Sequence, residues 1–161
     1  MDLFNKTSLL FVCLGNICRS PAAEGILKHI LKQNNAEDRV LVDSAGIGGW
    51  HTGQLPDRRM IACGRKNGYE FNSRARKLSP KDFERFDYII VMDEDNYADA
   101  LNICPEKAYR KKIHKISEYF NVYSSYDKVP DPYYGDEDDF QTAVNLLQDA
   151  CTAIVEELLK K

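Results

Sequence analysis

The sequence predicts a single α/β domain built on a four-stranded parallel sheet with helices on both faces. Three observations predict it. Short apolar runs alternate with amphipathic stretches along the chain, as in strand–helix–strand units. The 161 residues are 43% hydrophobic and 29% charged, which suits one domain, residues 1–161, with one sizeable core. No internal repeat, linker or low-complexity segment divides the chain.

The elements follow in order. Residues 9–13, Leu-Leu-Phe-Val-Cys, form a buried strand: an apolar run ended by a glycine-containing turn. Residues 14–19 are a loop. Ser20-Pro21 opens a helix, with proline early, where its missing N–H costs nothing. Ile26, Leu27, Ile30 and Leu31 give that helix its apolar stripe. Residues 40–42 are a second strand, ending at Asp43-Ser44-Ala45-Gly46, and residues 48–53 a loop with the only tryptophan, Trp50. Residues 57–66 read as a helix stopped by Asn67-Gly68. A short helix runs from Ser79-Pro80 through Phe86, a third strand covers 88–92, and a helix covers 94–103. Residues 112–116 suggest a fourth strand, and residues 124–135 a long polar loop. The last helix spans 136–159, with Phe140, Ala143, Val144, Leu147, Cys151, Ile154 and Leu158 at three- and four-residue spacing. The acidic run 136–139 sits at its start, where negative charge favours the helix dipole.

Composition excludes several function classes. A net charge of -3 argues against general nucleic-acid binding. The basic runs 74–77 and 110–112 read as solvated faces. No apolar run approaches the ~20 residues of a membrane span. The polar start, residues 1–8, leads into an apolar stretch too short for a signal core. A cytoplasmic protein is expected; secretion without an N-terminal mark stays open. The five scattered cysteines do not form a secreted disulfide framework, and neither a Cys-x-x-Cys pair nor a His cluster suggests a metal. Cys63 and Cys151 fall in helical patterns as small buried hydrophobes, and Cys104 has no assigned role.

The chemistry lies in Cys13-Leu14-Gly15-Asn16-Ile17-Cys18-Arg19-Ser20. A strand delivers a cysteine to a loop, and a helix begins where the loop ends. Successive N–H groups of such a loop can form an anion nest, and the helix adds its unpaired N–H groups and positive dipole end. Gly15 and Asn16 tolerate positive φ, which a tight cradle needs. Arg19 can grip two phosphate oxygens. The same surroundings favour the thiolate of Cys13. A nucleophile inside an anion cradle predicts phosphoryl transfer through a phosphocysteine, with no metal or other cofactor required. The segment lacks the Gly-Lys-Ser/Thr ending of a nucleotide P-loop. Ser20 can cap the helix or hydrogen-bond the Cys13 sulfur. Asp131, between Pro130 and Pro132, is either a turn aspartate or a restrained carboxylic acid.

Over nearly its whole length the chain closely resembles the low-molecular-weight protein tyrosine phosphatases. The matching pieces are residues 12–21, the 43–46 strand end, Trp50, Val91-Met92-Asp93 and Asp131-Pro132-Tyr133, in the family's order and spacing. The resemblance implies a phosphotyrosine phosphatase I-like, Rossmann-like fold and hydrolysis of protein phosphotyrosine. It implies Cys13 as nucleophile, Arg19 as phosphate clamp and Asp131 as general acid, then base for the attacking water. Leu14, Gly15, Asn16, Ile17, Cys18 and Ser20 would complete the phosphate-binding loop, with Ser44 supporting it. Leu14, Trp50 and Tyr133 would line an apolar slot for the substrate ring, with Tyr134 beside them. Cys13 and Cys18 would form a reversible protective disulfide. Phosphate, sulfate or vanadate would occupy the site. Ser73 stands where the family often has a histidine that supports the loop.

Three other readings compete. An arsenate reductase would need two further neighbouring cysteines, and Cys63, Cys104 and Cys151 form no close pair. Phosphoarginine phosphatases of this kind tend to carry threonine at the place of Ile17 and lack the Tyr133-Tyr134 pair. A catalytically silent oxyanion or redox module is disfavoured by intact Cys13, Arg19 and Asp131.

Overall fold

The computed structural model describes residues 6–160. The polar residues 1–5 of the N-terminal reading lie outside it. Four strands form one all-parallel sheet in the order β2-β1-β3-β4: β1 (Thr7–Cys13), β2 (Val40–Gly46), β3 (Tyr88–Val91) and β4 (Ile113–Lys115). The helices are α1 (Arg19–Gln33), α2 (Arg58–Lys66), α3 (Pro80–Arg85), α4 (Glu94–Ile103) and α5 (Glu137–Leu159).

Side-chain alternation along β1 assigns its residues to two cores. Leu9, Phe11 and Cys13 pack on one side with Ala22 and Ile26 of α1, Met60 of α2, and Phe140 and Leu147 of α5. Leu10 and Val12 pack on the other with Phe83 of α3 and Ala100 of α4. A strand covered on both faces can be apolar at every position, which is why residues 9–13 read so clearly.

Strand boundaries differ from the sequence reading: β1 starts two residues earlier, at Thr7, and β3 ends at Val91. β2 continues to Gly46, because the ladder with β1 runs on from Leu10↔Asp43 to Cys13↔Gly46. Backbone pairing there holds Ser44, a polar residue that apolar periodicity passes over. β4 is shorter than 112–116, since Lys112 and Ile116 belong to flanking 3-10 turns, Lys107–Lys112 and Ile116–Tyr119. The Lys112 ammonium turns away to the Phe83 carbonyl, 2.7 Å off, near the end of α3. The other basic run is engaged too: Arg76 pairs with Asp43 and Asp82, both at 3.0 Å.

The strand order sets the site. The chain passes from β1 to β2 on one side, then returns to β3 on the other side of β1. Ligands in such sheets bind at that switch point, beyond the C-terminal strand ends. Cys13 ends β1, and Asp93 caps α4 just past β3. Two loops dock at the same end. Gly46 accepts from Leu78 N–H (2.7 Å) and donates to Arg76 C=O (2.9 Å), while Val129 N–H donates to Met92 C=O (3.0 Å). Among the described residues no helix is long and apolar enough to cross a membrane.

Gly46 carries the closest of these approaches. A Cβ there would lie 2.9 Å from the Asn16 nitrogen and the Gly15 carbonyl carbon, backbone atoms that cannot swing aside. Gly46→Ala is expected to lose about 1–3 kcal/mol, the usual cost of overpacking. Urea denaturation should show a lower midpoint with an unchanged slope.

Candidate active site

β1 brings Cys13 to the mouth of the crevice with its side chain buried, 3% exposed. The loop that follows uses its carbonyls outward. Cys13 C=O accepts from Ile47 N–H (2.9 Å), Leu14 C=O from Gly48 N–H (2.9 Å), Ile17 C=O from Asp57 N–H (2.8 Å) and Cys18 C=O from Ala22 N–H (3.3 Å). Among the described residues, no protein acceptor takes a hydrogen bond from the amides of residues 14–18. Those four carbonyls are engaged and the loop's donors are free, the condition for an anion nest.

Asn16 fixes this shape. It is the loop residue with positive φ, 58°. Its Oδ1 accepts from Arg76 N–H (3.0 Å), and its Nδ2 donates to Ser20 Oγ (2.7 Å) and Ser44 Oγ (3.0 Å). Ser44 Oγ donates to Glu24 Oε1 at 2.6 Å, and Lys28 Nζ lies 2.6 Å from Glu24 Oε2. Glu24 is 5% exposed, so this carboxylate is buried with its partners in place. Ser73 makes no hydrogen bond in this network among the described residues; the Arg76 backbone serves Asn16 instead.

Two expectations about the loop need correction. Gly15 does not have positive φ. Its missing Cβ matters for space, because the His51 ring carbon Cδ2 would lie 3.2 Å from it. Ser20 does not cap α1, which already begins at Arg19. Its hydroxyl sits 3.0 Å from the Cys13 sulfur.

Arg19 is 2% exposed. Its Nη1 donates to Asp93 Oδ2 (2.7 Å) and Val129 C=O (3.0 Å), and its Nη2 lies 3.6 Å from Asp131 Oδ2. Burial alone would lower its pKa. The nearby Cys13 sulfur, Asp93 and Asp131 outweigh that, and the net shift is upward. The other Asp93 oxygen accepts from Asn96 N–H (2.8 Å), so one carboxylate holds both the guanidinium and the start of α4. Cys18 is buried, and burial pushes its thiol pKa up, with Asp57, Cys13 and Asp131 adding to the effect.

These groups share a cavity of about 210 Å³, lined also by Leu14, Trp50, His51, Tyr133 and Tyr134. It grades from the buried Cys13 and Arg19 to Trp50 and Tyr134, 68% and 97% exposed. Trp50 lies across Gly48, where a Cβ would come within 2.0 Å of the indole. Tyr133 N–H donates to Asp131 Oδ1 at 3.1 Å, linking slot wall and carboxylate. Every residue assigned to the slot or to the three catalytic roles from the sequence lies on this cavity, while Asn16, Ser20 and Ser44 stand behind it.

A family model for low molecular weight phosphotyrosine protein phosphatase matches residues 8–161. The chain belongs to that family. The phosphatase is 38% identical over 155 residues to the human low molecular weight phosphotyrosine protein phosphatase, covering 93% of this chain and 94% of the human one. A protein tyrosine phosphatase of Entamoeba histolytica, solved with Hepes in its active site, superposes with a TM-score of 0.93. Its identity is 41%, over 96% of this chain and 98% of that one. A Drosophila arginine phosphatase is 32% identical, with a TM-score of 0.84 and coverage of 92% and 96%.

Sequence reasoning missed five residues of this phosphatase. Asp93 was visible as a strand end but not as the partner of Arg19. His51 adjoins Trp50 in a loop without periodicity. Glu24 and Lys28 have the four-residue spacing of an ordinary helix-surface pair, which hides the burial of Glu24. Arg59 follows the Asp57 helix cap and carries no motif.

The network yields a stability prediction. Asn16→Ala removes three hydrogen bonds worth about 1 kcal/mol each. It also leaves alanine in the left-handed region, at roughly 1–2 kcal/mol. Asn16→Gly loses the bonds but keeps the conformation at little steric cost. Thermal unfolding should rank wild type above Asn16→Gly, and Asn16→Gly above Asn16→Ala.

Proposed function

We propose that this phosphatase hydrolyses protein phosphotyrosine through a phosphocysteine on Cys13. One observation carries the reading: a loop whose amides donate to no protein acceptor, while the carbonyls of Cys13, Leu14, Ile17 and Cys18 are engaged elsewhere, borders the cavity that holds both a sulfur and a buried guanidinium. The Cys13 thiolate attacks phosphorus, forming an S–P bond as the aryl O–P bond breaks. The loop amides and Arg19 stabilise the transferring phosphoryl group. The Asp131 carboxylic acid protonates the leaving phenolate, then as carboxylate takes a proton from the water that attacks phosphocysteine. The S–P bond breaks, and the Ser20 hydroxyl stabilises the departing thiolate. Ser44 supports the loop through Asn16. Phosphate is the product, and sulfate and vanadate compete for the same cradle.

Substrate choice comes from the slot. Leu14, Trp50, Tyr133 and Tyr134 offer apolar and aromatic surface to a phenyl ring, whereas phosphoserine is too short and has no ring to bury. The similarity to an arginine phosphatase makes phosphoarginine the second reading. The aromatic rim and Ile17 favour tyrosine.

Cys18 borders the same cavity and supports a redox role. Peroxide oxidises the Cys13 thiolate to a sulfenic acid. The Cys18 thiol condenses with it, forming the disulfide and releasing water. All five cysteines are free, which suits a reducing cytoplasmic setting.

Cys13→Ser should abolish turnover of para-nitrophenyl phosphate, and retained activity rejects the mechanism. Asp131→Asn should keep vanadate affinity and lose about 100-fold in kcat, the usual scale of general acid catalysis. Phosphotyrosine, phosphoserine and phosphoarginine peptides assayed side by side should give turnover chiefly with the first. After peroxide, dithiothreitol should restore wild type but not Cys18→Ala; equal recovery removes the disulfide from the scheme.

A further inference from the structure

We propose that Arg59 is a positioning residue of the substrate slot, holding the Tyr133 wall, and through it Asp131, in register with the phosphate-binding loop. The inference rests on the slot and acid roles proposed above.

The link begins at the loop itself. Asp57 N–H donates to Ile17 C=O at 2.8 Å, which pins the start of α2 to the phosphate-binding loop. The Asp57 carboxylate then does two things. Its Oδ1 caps α2 by accepting from Arg59 N–H at 2.8 Å. Its two oxygens also receive Nε (3.1 Å) and Nη2 (3.0 Å) of the Arg59 side chain. A two-pronged contact fixes the plane of a guanidinium as well as its place.

The guanidinium carbon lies over two rings. The Arg59 Cζ is 5.5 Å from the centroid of Tyr133 and 4.7 Å from that of Phe140. Phe140 is 1% exposed in the first turns of α5 and cannot shift. Tyr133 is half-buried at the edge of the same core. It stands on the loop with Asp131, and its ring neighbour Tyr134 is almost wholly solvent-exposed. A planar, weakly hydrated cation suits the face of an aromatic ring, and lysine would not reproduce the arrangement. Because Tyr133 N–H donates to Asp131 Oδ1, a shift of the ring's backbone also turns the carboxylate. Arg59 therefore connects the phosphate cradle to the slot wall without touching substrate.

A bare surface ion pair between Asp57 and Arg59 would contribute little, since the arginine side chain is 47% exposed. The test separates that role from positioning. Arg59→Met keeps the length and apolar contact and removes the charge and the fork. With a phosphotyrosine peptide, its KM should rise about 3- to 10-fold, the range of one cation–π contact. Inhibition by vanadate, which reads the cradle alone, should stay within about twofold of wild type. In a Tyr133→Ala background the same substitution should have almost no further effect, because coupled residues are not additive. The proposal is overturned by an unchanged KM, by a matching loss of vanadate affinity, or by an equal effect with and without Tyr133. The underlying catalytic reading fails differently: the wild type would not turn over phosphotyrosine, or Cys13→Ser would.

Discussion

The hydrogen bonds of one buried side-chain amide, that of Asn16, hold the loop after β1 in a conformation that is unfavourable for a residue in isolation. A left-handed residue inside a short loop is unfavourable in isolation. Here it is offset by bonds to Ser20, Ser44 and the Arg76 backbone, three segments far apart in sequence. In a low-dielectric interior each such bond is stronger, and each unpaired group costs more. The loop is thus tied to the end of β2, to the first turn of α1 and to the 76–78 segment. Gly46 permits the approach, and Glu24 with Lys28 completes the charge balance behind it.

A second set of bonds gathers around Arg19. The guanidinium is anchored from the β3 side by Asp93 and from the late loop by Val129. Burying a cation so fully requires such partners. The two anchoring systems meet only at the loop, so Cys13 and Arg19 are positioned by different parts of the sheet. The switch point between β1 and β3 is what brings those parts together.

The sequence made the fold class and most of the site legible, for identifiable reasons. Strands buried on both faces announce themselves as apolar runs, and α5 carries a long, regular stripe. The strand–loop–helix arrangement of residues 13–20 was readable because strand, turn and Ser-Pro helix start are all local signals. What escaped was non-local or polar. The last residues of β2 are held by pairing with β1, and the 3-10 turns around β4 have no periodicity. The Arg19–Asp93 pair spans 74 positions, and nothing in local spacing announces it. Of the two readings open for Ser20, the contact with the Cys13 sulfur holds and the cap does not, because α1 already begins at Arg19. Gly15 and Asn16 were both read as able to take positive φ; Asn16 does, and Gly15 makes room for His51 instead.

The segment bearing Asp131 is fastened on both of the backbone groups of Val129, through Met92 and Arg19. A stretch secured this way, two residues before the carboxylate, is not a hinged lid. In the acid role proposed for it, Asp131 is placed by this fastening, so little binding energy is diverted into closure. Such a site remains exposed to water and to small aryl phosphates alike. Its selectivity has to reside in the stationary contour of the opening.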